Sequence, residues 1–407
     1  MGERVLMWIA FIVTVMVDAS MAQGKKFGCS YYPKRAREFG YQPDYIPLEV
    51  CTHVIFDGFD FPSFVGRKML FKDNDKIEFS NVVTSVRKRS NTVRVVASID
   101  GKARDYTATS GTIVRRKAFV EAATSLLLEL DADAIEVDWR SPGNSNAGSG
   151  NGLDRITMVT LLQDLRQAVN SASRVIANRN RELWFRGSLH VNVITEAYNV
   201  FDVCELVDQV TLDPTTIADL ENVHAPLYST PITIPNFAQI QSQLGNVINP
   251  GAGLSETTQR WIDEGCAPRK LLFGIGIHGV QKTYSSADKS FFGKILRADK
   301  KYLEHRDLCQ KIRQGGWSYA WDQYGYMPYA NRALSNGQGE QISYEDLNSL
   351  RYKMDMVEQK RLGGIYIEFV HSDDIYGVCG QAYSLTAYIS SRVRSIPSDI
   401  GFAIEWN

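Results

Sequence analysis

An excess of charge of either sign is what this 407-residue sequence most plainly lacks: 45 lysines and arginines meet 46 aspartates and glutamates, a formal net charge of -1. Proteins that bind nucleic acid or lie on membranes carry a basic surplus, so neither a nucleic-acid nor a membrane partner is expected. Long apolar runs are equally scarce. The one candidate, Val5–Val17 behind Glu3 and Arg4, falls short of the roughly 20 residues a spanning helix needs. With the small residues Ser20-Met21-Ala22 after it, it reads as a secretory signal over residues 1–22, the mature chain starting near Gln23. A secreted, extracellular protein without a membrane span is expected. The 6 histidines are not clustered and no Cys-x-x-Cys occurs, so no metal site and no cofactor are expected. Asn-x-Ser/Thr is also missing, and with it the acceptor for N-glycosylation.

Cysteines are present, 6 of them: Cys29, Cys51, Cys204, Cys266, Cys309 and Cys379. Export makes them candidates for disulfides. Six allow about fifteen connectivities, so spacing alone leaves the pairing open. No cysteine follows Cys379, so a cysteine-rich tether beyond the barrel is not expected.

Eight β-rich runs recur along the chain: 25–32, 52–59, 93–99, 132–139, 187–195, 207–213, 271–277 and 363–369. Amphipathic stretches at 114–130, 153–169 and 344–362 lie between them. Alternating strand and helix patterns argue for a parallel sheet, and eight such units for a closed (β/α)₈ TIM barrel. The interval 280–343 breaks the rhythm and is dense in aromatics over 317–330. It is too long for a βα loop and reads as a small α+β subdomain inserted between strand seven and its helix. The barrel is then 23–279 with 344–407. Inside the insertion, Trp317 and Trp321 are candidates for stacking on sugars, although such rings more often fill a small core. The Gly/Ser/Asn-rich stretch 141–152 reads as a mobile loop.

The run DADAIEVDWRSP, residues 131–142, is the most informative. Active sites of these barrels lie where strands end, and residues two apart on a strand share a face. Glu136, Asp138 and Arg140 therefore point one way. Buried charges need partners, which the mouth of a barrel can supply.

This run resembles the fourth strand of glycoside hydrolase family 18, the chitinases and chitinase-like proteins, which reads Asp-Gly-x-Asp-x-Asp-Trp-Glu-Tyr-Pro. Here the matching residues are Asp133, Ala134, Ile135, Glu136, Val137, Asp138, Trp139, Arg140, Ser141 and Pro142. The similarity continues through CTHVIF (51–56), APLY (225–228, ending in Tyr228), EGCAPRKLLFGIGIHG (264–279), MPYA (327–330) and RLGGIYIEFVHSDDIYGVCG (361–380). It implies disulfides Cys29–Cys51 and Cys309–Cys379, with Cys204 and Cys266 either paired or free. It also implies that the last Glu of the motif protonates the glycosidic oxygen while the last Asp holds the substrate's attacking N-acetyl group.

Arginine cannot do the first of these. It keeps its proton at any working pH, and loss of such an acid costs about 10²–10⁴ in rate from proton transfer alone. Other positions depart from the family too. Its Met-x-Tyr-Asp becomes Val210-Thr211-Leu212-Asp213, and the floor tryptophan of the last strand becomes Glu368. Its Tyr-Gly-Arg becomes His278-Gly279-Val280, and its third-strand Ser-x-Gly-Gly-Trp becomes Ser98-Ile99-Asp100-Gly101-Lys102. Aromatic positions on the first two strands fall on Ser30, Lys34 and Gly58. The mouth is thus expected to hold Asp57, Asp100, Lys102, Glu136, Asp138, Arg140, Asp213 and Glu368, in a degenerate site that includes Asp133. Arg140 is expected to pair bidentately with Asp138, Asp213 or both. A binding or signalling protein without hydrolytic activity is the leading expectation, its partner a chito-oligosaccharide or an extracellular protein or receptor. Candidate binding residues are Asp138, Arg140, Asp213, Tyr228, Glu368, Trp317 and Trp321; the rivals are a lectin that holds chito-oligosaccharide in the cleft or through Trp317 or Trp321, and a hydrolase that uses Glu368 or Glu136 as a displaced acid.

Overall fold

The computed structural model describes residues 24–140, 142–143, 151–175, 180–217, 223–229, 253–285 and 299–396. The expected signal segment, most of the 141–152 loop and the last residues of the chain lie outside them. Eight parallel strands close into a barrel: β1 (Lys26–Tyr31), β2 (His53–Asp60), β3 (Arg94–Asp100), β4 (Ala134–Asp138), β5 (Glu182–Ser188), β6 (Gln209–Asp213), β7 (Leu271–Gly276) and β8 (Gly364–Glu368). β8 pairs with β1 to complete the ring.

Two apolar layers hold it. Along β4, Ile135, Val137 and Trp139 face outward into the large core shared with the helices, and Ala134 faces into a small interior cluster with Ile55, Val96, Trp184, Leu272 and Tyr366. That is the two-residue period of a strand packed on both faces. Trp139 stacks on Tyr106 at 5.0 Å. The helix Asp154–Val175 covers this side because Met158, Leu161, Leu162, Leu165, Val169 and Ala172 form one buried stripe at three- and four-residue spacing. The Asp154 carboxylate accepts the backbone N–H groups of Gly143 and Asn151, at 3.0 and 2.9 Å. The helix Leu347–Gln359 starts with a reciprocal cap between Asp346 and Ser349, which satisfies two otherwise orphaned N–H groups.

One strand differs from the sequence expectation. Residues 187–195 are not the fifth strand; β5 is Glu182–Ser188, and Val193–Ala197 coil into a short helical turn. The β-branched residues of 191–195 misdirected the reading, while the true strand carries charges on its inner face. All seven of its residues are buried.

Between β7 and the Leu347–Gln359 helix stands an antiparallel sheet of five strands, in the order 299–303, 279–285, 338–343, 327–333, 318–322. Its core is Leu303, Leu308, Trp317, Ala330 and Ile342. Three disulfides tie the chain: Cys29–Cys51, Cys204–Cys266 and Cys309–Cys379. The second resolves the pairing that the sequence left open, joining the helix Val200–Leu206 to the lead-in of β7. Among the described residues, no helix is long and apolar enough to cross a membrane.

Candidate active site

Strand register assembles the mouth. Asp100 on β3 lies beside Asp138 on β4, Asp138 beside Arg186 on β5, and Arg186 beside Thr211 on β6. Arg186 is buried, and its guanidinium meets Asp57 at 2.8 Å, Glu136 at 2.8 Å and Asp138 at 3.3 Å. Ser98 donates to Glu136 at 2.6 Å, Thr211 donates to its other oxygen, and Ser30 donates to Asp57 at 3.3 Å. Reading the sequence missed Arg186 because β5 was placed late. The signal was there: an inward face rich in carboxylates requires a buried cation, and ELWFRGS alternates Glu182, Trp184, Arg186 and Ser188 on one side.

Arg140 follows the end of β4 and lies across the mouth, about one-third exposed. Its Nε reaches Asp138 at 2.8 Å, one terminal nitrogen reaches Asp213 at 2.9 Å and the other Asp100 at 3.3 Å. Both expected partners, Asp138 and Asp213, are engaged, and Asp100 is a third; the guanidinium divides its nitrogens among three carboxylates where a fork on one was expected. Tyr198 donates to the Arg140 carbonyl at 2.9 Å and fixes the backbone at the turn. Asp213 also accepts from the Thr215 N–H and hydroxyl at 2.8 and 2.6 Å.

The carboxyls differ. Burial pushes Asp138 up to about 8, although Arg140 and Arg186 oppose it. Burial also acts to raise Asp213, but Arg140, Arg186 and the Thr215 hydrogen bonds hold it below the usual range. Glu368, at the tip of β8, is driven well above the ordinary range by burial and by Asp213. One of its oxygens has no hydrogen-bond partner among the described residues. Glu368 therefore lies outside the mutual pairing expected for the mouth.

Other candidates lie elsewhere. Asp133 sits at the opposite end of β4, bound by Arg87 at 2.6 Å and by the Val95 N–H at 2.7 Å; four residues of strand separate it from Asp138, so it fastens the barrel floor. Trp317 belongs to the subdomain core, with the Arg332 guanidinium 4.5 Å over its ring, which withdraws it from sugar stacking. Tyr228 packs on Tyr326, Tyr326 on Tyr352, and Trp321 on Tyr352, forming a second group at the seam of barrel and insertion. Trp321 remains 37% exposed. Lys102 is exposed at the start of the helix Ala103–Ser110. Lys34 contacts Asp60 at 3.2 Å, and Lys72 also binds Asp60. Among the described residues no group of three His, Cys, Asp or Glu could hold a metal ion.

The barrel, the insertion and the strand-four motif agree with an independent finding: residues 29–373 match Glycosyl hydrolases family 18. The chain belongs to glycosyl hydrolase family 18. It is 25% identical to an endochitinase of Manduca sexta over 381 residues, 86% of this chain and 63% of that protein, so it spans less than two thirds of that relative. Its fold superimposes on the Ostrinia furnacalis Group IV chitinase with a TM-score of 0.74 at 19% identity, over 91% of this chain and 99% of that one. It also superimposes on human YKL-39, described as a pseudo-chitinase with retained chitooligosaccharide binding properties, with a TM-score of 0.71 at 17% identity, over 91% and 100% of the two chains. The family thus contains both chitinases and a pseudo-chitinase on this frame.

Proposed function

We propose that this family 18 chain is a secreted chitinase-like protein that acts by binding and does not hydrolyse chitin. One observation carries the reading: the seat of the proton-donating carboxyl holds Arg140, whose guanidinium is fixed by Asp100, Asp138 and Asp213. A general acid must give up and recover a proton near working pH, and three neighbouring carboxylates bind the arginine's proton more tightly still. Asp138, Arg140 and Asp213 would line the binding cleft. The displaced-acid rival gains a protonated carboxyl in Glu368, but the other parts of the reaction are missing. Leu212 has no hydroxyl to hold an N-acetyl group, and Glu368 stands where the family has its floor ring. The first thirteen-residue apolar run supports export, and three disulfides suit an oxidising compartment.

Incubating the purified protein with a fluorogenic chito-oligosaccharide tests the reading. No release above a protein-free control is expected; turnover that survives purification to homogeneity overturns it. A reading as a chitin lectin is favoured by one feature, the exposed ring of Trp321 at the seam of the insertion. A pull-down on chitin, compared with Trp321→Ala, separates that route from the cleft.

A further inference from the structure

Among the described residues, the mouth has more carboxyls than guanidiniums. Arg140 faces Asp100, Asp138 and Asp213, and Arg186 faces Asp57, Glu136 and Asp138. Five different carboxylates thus share two guanidiniums. The rim lysines do not redress the balance: Lys34 and Lys72 are both engaged by Asp60, and Lys102 lies in solvent. A second, independent feature is Glu368. It is 5% exposed, its titration responds to the charges of Asp213, Arg186, Asp57 and Arg140, and one oxygen accepts no hydrogen bond among the described residues. A buried carboxyl oxygen left without a donor marks a place where a donor from outside would be stabilised.

We propose that the mouth binds cationic amino sugars, β-linked glucosamine oligomers with free protonated amines, in preference to their N-acetylated counterparts. The proposal rests on the reading that this cleft binds a glycan without cleaving it. An acetamide offers one N–H and needs an apolar pocket for its methyl group. A protonated amine offers three N–H donors and a charge. The two positions that would distinguish them have moved in one direction. Leu212 is turned into the core and presents no hydroxyl to a carbonyl, while a carboxyl replaces the flat ring at Glu368. An ammonium entering beside Glu368 and Asp213 would supply the absent donor and offset the surplus negative charge.

Calorimetric titration of the full-length protein with hexameric glucosamine and, separately, with chitohexaose tests this. The glucosamine hexamer should bind at least about tenfold more tightly, a difference of about 1.4 kcal/mol. Its affinity should fall severalfold on raising salt from about 0.05 to 0.3 M, as exposed charge attraction is screened. Glu368→Gln should weaken it severalfold. Asp100→Asn, a change at the exposed rim, should do so as well. The remote exposed substitution Glu121→Gln should not. Equal or tighter binding of chitohexaose, or no binding of either hexamer, overturns the proposal while leaving the non-hydrolytic reading intact. Shortened chitohexaose products would overturn that reading instead.

Discussion

At the floor of the barrel, Glu182 sits between Lys26 at 3.2 Å and Arg94 at 2.5 Å and takes the Trp184 N–H at 2.7 Å. Among the described residues of the mouth, carboxyls outnumber guanidiniums and one Glu368 oxygen accepts no hydrogen bond. The titration follows the balance. Burial acts to raise Glu182, but Lys26 and Arg94 outweigh it and hold the group below its ordinary range. Burial raises Asp138 to about 8 and Glu368 well above the ordinary range, and nearby carboxylates add to both shifts. Among the described residues, the same fold surrounds Glu182 with two cations at one end and gives five carboxyls two guanidiniums at the other. The charge balance belongs to the end that holds the barrel shut, and the imbalance to the end at which barrels of this fold build their sites.

The strongest blow to this contrast is Arg186→Met. It leaves Asp57 and Glu136 without their cation and Asp138 with Arg140 alone, and the expected loss is about 3–5 kcal/mol in chemical denaturation. A loss below about 1 kcal/mol would show that water already solvates the interior. Next is the double change Cys204→Ser with Cys266→Ser, expected to cost about 2–4 kcal/mol by releasing a long loop in the unfolded chain. A thiol count and thermal unfolding under oxidising conditions check it.

Arg140→Met is expected to cost less, about 1–3 kcal/mol, because this arginine is one-third exposed. It should also move the acid limb of stability. Asp213 has a depressed folded pKa, so its contribution is complete above the unfolded carboxylate value and is lost as pH falls through the lower folded one. Without Arg140 that loss should begin at higher pH. Glu368→Gln has the opposite sign. The raised folded pKa means the native state holds a proton that the unfolded state releases, so wild-type stability falls as pH rises above the ordinary glutamate value. The glutamine variant should gain on wild type as pH rises above the ordinary glutamate value of 4.5, and identical pH profiles would contradict the assignment. The smallest effect is expected for Trp321→Ala, within about 0.5 kcal/mol, as for most exposed sites.

Much of the frame was legible because its signals are local. Val95-Val96-Ala97 and Leu271-Leu272-Phe273 are continuous apolar runs, as strands buried on both faces must be. The long interval after β7 and its aromatic density announced the inserted sheet. β5 was less legible because Glu182 and Arg186 interrupt its apolar pattern, and only the closed barrel reveals that both are buried. Arg140 could be read as a replacement for an acid, but not its three separate contacts, which depend on the positions of β3, β4 and β6. Asp133 and Asp138 share a motif in sequence yet serve opposite ends of the strand. Glu368 was readable as a lost ring; its unpaired oxygen is a property of the assembled mouth.

The most direct test of the central claim is mass spectrometry of chitohexaose after prolonged incubation with the purified protein and with Arg140→Glu. Arg140 in the acid's seat predicts intact hexamer from the wild type. The loss of the hydroxyl and the floor ring predicts intact hexamer from the variant as well. Dimer, trimer or tetramer released by the wild-type protein would contradict the account.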